Sequence, residues 1–143
     1  MLQHTLLKNR IKKNEGFSKK PYKDQTGHYT IGYGHLILSN EKYFFDKKFD
    51  KIFFEKLFDK DFNYALNLYK KNYNKFFFSK ETKNLLIEMI FQMGIKKVRK
   101  FSKMMFHIKN NNKYLASLEM LDSLWYKQTP SRVNNLIKHY LKK

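Results

Sequence analysis

Glu15 and Asp24 are the two acids whose placement could support chemistry. They bracket the first part of a glycine-rich stretch, one near a helix end and the other at a turn, so both can face one cleft. Cleavage of a glycosidic bond needs this inventory. One carboxylic acid protonates the leaving oxygen, and a carboxylate across the bond activates water or attacks the sugar. An acid that works near neutral pH needs its pKa raised by partial burial, whereas its partner should stay ionised in a wetter setting. Taken alone the pair is ordinary, because a Glu at a helix end and an Asp in a turn also have local hydrogen-bonding uses.

The elements that must position these acids follow from glycine placement and apolar spacing. Of the 5 glycines, Gly16, Gly27, Gly32 and Gly34 cluster together and mark tight turns, leaving Gly94 outside. Before the cluster, Leu2, Leu6, Leu7 and Ile11 recur at helical spacing and predict a short helix ending near Asn14 or Glu15. Within it, Asp24-Gln25-Thr26-Gly27 reads as a hairpin turn and 28–33 as a strand. After Leu38 the period changes to that of a helix. Phe54, Leu57, Phe58, Ala65, Leu66, Tyr69 and Tyr73 form one face of a long helix. Ser79 is placed to cap a helix with Leu85, Leu86, Met89, Ile90 and Met93 inside, stopped at Gly94. A face of Val98, Phe101, Met105 and Ile108 ends at Asn110-Asn111-Asn112, and Leu115, Leu118, Leu121 and Trp125 make the next stripe. Thr129 as cap and Pro130 as first residue open a last helix with Val133, Leu136, Ile137, Tyr140 and Leu141 inside. The expected architecture is a helix, a small sheet and then roughly five helices, an α+β chain without internal repeats.

Composition bounds the rest. The 143 residues are 42% hydrophobic and 17% aromatic, enough for one domain with a core, so disorder of the whole chain is excluded. Thirty Lys and Arg against 12 Asp and Glu give a net charge of +18, which calls for an anionic partner: nucleic acid, an acidic membrane or an anionic wall polymer. Codon bias in an AT-rich genome would also inflate Lys. With no cysteine there is no disulfide, Cys zinc site or Cys nucleophile. His4, His28, His107 and His139 lack metal-ligand spacing and read as surface or packed residues. The first residues lack the apolar centre and cleavage site of a secretory signal. Apolar runs such as 76–78 fall far short of the roughly 18 residues of a membrane span, so the product is expected to stay soluble where it is made.

The acids sit in a longer ordered run. Asn14-Glu15-Gly16-Phe17, then Pro21-Tyr22-Lys23-Asp24, then Gly27-His28-Tyr29-Thr30-Ile31-Gly32-Tyr33-Gly34-His35-Leu36 resembles the catalytic region of the phage-type lysozymes, the endolysins of tailed bacteriophages. Phe91-Gln92-Met93-Gly94, Trp125-Tyr126-Lys127-Gln128-Thr129-Pro130-Ser131-Arg132 and the helix Glu55-Lys56-Leu57-Phe58-Asp59-Lys60-Asp61 are similar to later segments of that family. The resemblance spans nearly the whole chain in order.

The resemblance implies a single lysozyme-like domain over 1–143. Residues 15–50 would form a small β-containing lobe and 51–74 the interlobe helix. Residues 75–143 with the first helix, 1–14, would form a helical lobe, leaving an active-site cleft between the lobes. It implies Glu15 as general acid, Asp24 as second catalytic carboxylate and Thr30 as holder of the attacking water in an inverting reaction. Leu36 and Phe91 match cleft-lining positions, although periodicity alone would pass both as core. Arg132 matches an arginine near the general acid, and His35 and Asp61 match a pair between sheet and long helix. These three are read as positioning and electrostatic residues. The implied activity is hydrolysis of the β-1,4 bond between N-acetylmuramic acid and N-acetylglucosamine in peptidoglycan, for host lysis, by a monomer without metal or other cofactor. The enzyme would wait in the host cytoplasm for a holin-type pore protein, and its charge would draw it to anionic envelope polymers.

Departures from the family also matter. The segment 38–54 is short and rich in Tyr, Phe and Lys, so the lower lip of the cleft and its helix are expected to be missing or rebuilt. Met104 and Glu119 stand where the family often has small or amide residues facing the substrate. Two alternatives carry different chemistry: a basic membrane-disrupting or nucleic-acid-binding protein that kept the fold without catalysis, and a transglycosylase that uses the same acid without attacking water.

Overall fold

Residues 4–142, described by a computed structural model, pack into two units, one reaching to Tyr64 and the other starting at Ala65. Leu2, assigned above to the first helical face, lies outside the described residues. In the first unit, α1 (Thr5–Glu15) buries Leu7 and Ile11. Leu6 departs from the expected face and is exposed. The chain leaves α1 at Gly16, whose φ of 74° is a backbone angle that side chains other than glycine rarely tolerate.

Three strands follow, β1 (Ser18–Lys23), β2 (Tyr29–Gly32) and β3 (His35–Leu36), in an antiparallel sheet of order β1-β2-β3. The strand predicted over 28–33 is β2, ending at Gly32, and a turn at Tyr33 and Gly34 leads into β3, which the spacing did not predict. Between the pairs Ser18↔Gly32 and Tyr22↔Thr30 the register slips. The slip falls where Pro21 has no N–H to give the ladder and where the Ser18 hydroxyl donates to the Lys20 carbonyl at 2.7 Å.

The short segment after the sheet is organised around aromatic rings. A 3-10 turn (Lys42–Phe45) buries Phe44, which meets Phe49 at 5.4 Å and Phe53 at 6.0 Å between ring centres. Phe44, Ile31 of β2 and Phe54 of the next helix make one apolar cluster, so the sheet's inner face is covered by rings. That helix, α2 (Lys51–Tyr73), runs across the division between the two units. Its buried face is the expected one with Phe62 added, while Leu57 and Leu66 are only half-buried.

The second unit is helical and holds more helices than the spacing predicted. After the last turns of α2 come α3 (Lys80–Met93), α4 (Ile95–Arg99), α5 (Ser102–Lys109), α6 (Lys113–Leu121), α7 (Leu124–Gln128) and α8 (Pro130–Tyr140). Ser79 caps α3 by accepting from the Thr82 amide, and Gly94 stops it. The stripe read as one face from Val98 to Ile108 is two helices, and its core includes Met104. A Met104 buried in this way cannot face a substrate. Asn112 caps α6 through the Leu115 amide.

Two expectations for the last helices are corrected. Leu115, Leu118 and Leu121 lie on the outer face of α6 at 39%, 43% and 39% exposure, while Ala116, Ser117 and Met120 are buried. Because α6 packs against both α5 and α8, the small residues go inward, where they permit close approach. Thr129 stands at the N-cap position of α8 without capping it. Its hydroxyl instead donates to the Trp125 carbonyl at 3.2 Å.

Candidate active site

Glu15 is the last residue of α1, and contacts with α2 and with the β2–β3 turn hold that end of the helix. One turn back, Lys12 pairs with Glu55 of α2 at 2.5 Å. The Tyr33 hydroxyl donates to the other Glu55 oxygen at 2.8 Å. Lys12, aided by Tyr33 and by the charge of Lys51, outweighs partial burial and holds the Glu55 carboxyl below its ordinary range. One ionised side chain thus ties the end of α1 and the β2–β3 turn to the same helix. The residue after Tyr33 is Gly34, and a Cβ there would lie 2.5 Å from Oε1 of Glu15. The bare Cα of Gly34 is therefore the wall against which the Glu15 carboxyl rests.

Asp24 follows β1 directly and anchors the five-residue loop to β2. The backbone closes the loop through Asp24 N–H to the His28 carbonyl at 2.8 Å and Gly27 N–H to the Asp24 carbonyl at 3.1 Å. Oδ1 of Asp24 accepts from the Thr26 amide at 2.9 Å, the Thr26 hydroxyl at 2.7 Å and the His28 amide at 2.9 Å. Partial burial pushes this carboxyl up, but those donors and the charge of His28 outweigh it and hold the pKa below the ordinary value. Asp24 is therefore set to remain an ionised carboxylate.

Thr30 lies in β2 at 5% exposure. Its hydroxyl donates to the Tyr22 carbonyl at 3.1 Å, across the pair Tyr22↔Thr30. A hydroxyl carries one hydrogen, so Thr30 Oγ1 meets any further partner, such as a water, as an acceptor. Leu36 pairs with Thr30 from β3 and is 46% exposed, so it is not a core residue.

His35 holds the sheet to two places at once. Its Nδ1 lies 2.7 Å from Oδ2 of Asp61 on α2, and its Nε2 lies 3.0 Å from Oε1 of Glu41 beside the 3-10 turn. Sequence reasoning missed Glu41, whose carboxylate also accepts from the Leu38 amide at 3.0 Å. No local spacing marks an acid six residues away as a partner of a strand histidine. Burial alone would push the imidazole down, but the hydrogen bonds and negative charge of Asp61 and Glu41 outweigh it and hold its pKa above the ordinary 6.5. Glu41 moves the other way. Partial burial pushes it up, yet the Leu38 amide, His35 and Lys60 hold its carboxyl below the ordinary 4.5.

The sign of the resulting pH dependence follows. A raised histidine contributes fully below its unfolded pKa and loses that contribution as pH rises through the folded value, and a lowered carboxylate loses it as pH falls. The clip is therefore strongest between about pH 4.5 and 6.5. Glu41→Gln is expected to cost about 1 kcal/mol near pH 5.5, on the scale of a typical hydrogen bond because the amide still accepts, and less near pH 9. Urea midpoints across this range check the result, and an equal cost at both ends would remove the ionic contribution.

The second unit holds the remaining sequence candidates, Phe91 and Arg132. Phe91 is half-buried on α3, one turn after Glu88. Arg132 on α8 reaches Oε2 of Glu88 at 3.3 Å, and Glu88 is wholly buried. The two motif segments of this unit are joined physically: Trp125 Nε1 donates to Gln92 Oε1 at 3.0 Å, and Gln92 Nε2 donates to the Thr129 hydroxyl at 3.4 Å. Glu88 was not singled out from sequence and Gln92 only as part of a motif segment without a role, although their spacing of one helical turn on α3 could have drawn notice.

Within the first unit the fold collects two acids and a threonine around one small sheet, with a fourth side chain, Leu36, open to solvent beside them. The profile of the phage lysozyme family matches residues 12–142. The chain belongs to the phage lysozyme family. Among relatives, this lysozyme is 33% identical over 162 residues to probable T4-type lysozyme 2 of Dictyostelium discoideum, covering 92% of this chain and 91% of the relative. It is 34% identical over 159 residues to probable T4-type lysozyme 1 of the same organism, with the same coverage. The family makes it a glycoside hydrolase whose substrate is peptidoglycan. Among the described residues, no helix of this lysozyme is long and apolar enough to cross a membrane.

Proposed function

We propose that this lysozyme is an inverting muramidase that hydrolyses the β-1,4 bond from N-acetylmuramic acid to N-acetylglucosamine. Glu15 protonates the leaving oxygen, and ionised Asp24 takes a proton from a water that attacks the anomeric carbon from the opposite face. Thr30 accepts a hydrogen bond from that water. The observation that carries the reading is the commitment of the Thr30 hydrogen to Tyr22. It leaves a lone pair for the water and keeps the water's own lone pair free for the sugar. Inversion, not retention, uses a water at this step.

The biological setting proposed is release of a phage from its host by a monomeric enzyme that waits in the cytoplasm for a holin-type pore. The charge of +18 would add attraction to anionic envelope polymers and is screened by salt. The Dictyostelium relatives favour a second setting, in which the same hydrolysis serves a cell rather than a phage.

Product analysis on purified peptidoglycan tests the chemistry. The expected products carry reducing N-acetylmuramic acid ends, formed first as the anomer opposite to the bond cleaved. Products with 1,6-anhydro ends would mark a transglycosylase, and first products of the same anomer would replace inversion by retention.

A further inference from the structure

Asp24 is held by only one of its two oxygens. All three donors, the Thr26 amide, the Thr26 hydroxyl and the His28 amide, converge on Oδ1 at 2.7–2.9 Å. Among the described residues none gives a hydrogen bond to Oδ2. The Thr26 hydroxyl also meets His28 Nδ1 at 2.6 Å. An ionised carboxylate only accepts, so the single Thr26 hydrogen goes to Asp24, and His28 Nδ1 must carry a hydrogen and donate to the hydroxyl. The hydrogen bonds then run one way, from imidazole to hydroxyl to carboxylate. Each donor in such a chain polarises the next, which strengthens the hold on Oδ1.

We propose that Thr26 and His28 are positioning residues that pin Oδ1 of Asp24 and so present Oδ2 to the attacking water. The proposal rests on the reading of Asp24 as the general base. Its physical content is orientation. A carboxylate free to turn about its last bond would offer either oxygen in many directions, whereas one pinned by three donors to a short loop offers the other in a single direction. The two backbone donors draw Oδ1 toward the loop and the hydroxyl adds a third direction, and because Cβ, Cγ and both oxygens share one plane, holding Oδ1 in place also sets where Oδ2 points. The loop suits this use, because it is closed at both ends by the backbone bonds from Asp24 and Gly27. The strands that flank it carry Tyr22 and Lys23 in β1 and Tyr29 in β2, and the 3-10 turn that touches β1 carries Lys42 and Tyr43. Lys23 is directed to the Tyr29 ring, 5.3 Å from its centre, and none of these side chains donates to Asp24.

Thr26→Val keeps the shape of the side chain and removes the hydroxyl. Thr26→Ser keeps the hydroxyl, and His28→Phe keeps a ring without the donor. Thr26 and His28 are exposed, so the thermal midpoint of each variant is expected to match the parent. On purified peptidoglycan, Thr26→Val is expected to lower kcat about fivefold, the scale of one lost hydrogen bond, with KM unchanged. The acid limb of its pH profile is expected to move to higher pH, since a donor that favours the charged form is gone. Thr26→Ser restores both, and His28→Phe gives a smaller loss of the same kind. If Thr26→Val keeps full kcat and an unmoved acid limb while Asp24→Asn is inactive, the positioning role is overturned and the function of Asp24 stands. A fully active Asp24→Asn overturns both. A rise in KM with kcat unchanged would assign Thr26 to substrate binding and also overturn the proposal.

Discussion

A Glu15→Gln enzyme is expected to fold as the parent does and to lose peptidoglycan hydrolysis by about 10²- to 10⁴-fold, the usual contribution of a general acid. The amide has the shape of the carboxylic acid but cannot give a proton to the leaving oxygen. Shape matters at this position, because the carboxyl rests on the bare Cα of Gly34 and even one added carbon there would come within 2.5 Å of Oε1. A bulkier or shorter replacement would mix loss of the proton with a shift of the β2–β3 turn, and Gln separates them. The measurement is reducing ends released from purified wall, with the thermal midpoint as the control for folding. Clearing of whole cells is a weaker readout, since a strongly basic chain can disturb an anionic membrane without hydrolysing anything. Killing that survives Glu15→Gln, or survives heating past unfolding, belongs to that second activity. Undiminished release of reducing ends would remove Glu15 from the site.

The largest stability effect is expected in the other unit, at Arg132. Its guanidinium side chain is 9% exposed and lies 3.3 Å from a Glu88 that is wholly buried. Removing one partner of a buried ion pair leaves the other charge in a medium that solvates it badly, at a cost of about 3–5 kcal/mol. Arg132→Leu is therefore expected to lower the thermal midpoint by on the order of 10 °C. The double variant with Glu88→Leu should recover most of the loss, because an apolar pair of similar volume needs no solvation. A double-mutant cycle in urea checks this, and additive losses would show that the two side chains act independently. Arg132 was read from sequence as a residue acting on the general acid. The pairing with Glu88 gives it a structural task within its own unit, so its activity has to be compared at temperatures where the variants are equally folded.

Local features of the chain were legible before any coordinates. A capped start at Ser79, a glycine stop at Gly94 and a proline opening at Pro130 each report on a few adjacent residues, and each marks a real helix boundary. The long helix was legible because its face repeats over many turns. The α6 stripe was misread for a reason of geometry. Two faces of that helix carry residues fit for burial at helical spacing, the leucines on one side and Ala116 and Met120, with the small Ser117, on the other. Periodicity cannot choose between two such faces. The neighbours choose, and α5 and α8 select the face that lets them approach.

The sequence by itself determined the family, the order of Glu15, Asp24 and Thr30, and the α+β character of the chain, because these depend on residue type and on spacing along the backbone. Tertiary structure alone decided which distant groups the other carboxylates meet. Glu41 reaches His35, Lys12 reaches Glu55 and Arg132 reaches Glu88. Side chains bond through space over about 3 Å, and the separations of these partners along the chain range from six residues to 44. No pattern in the order of residues encodes a distance that only folding brings about.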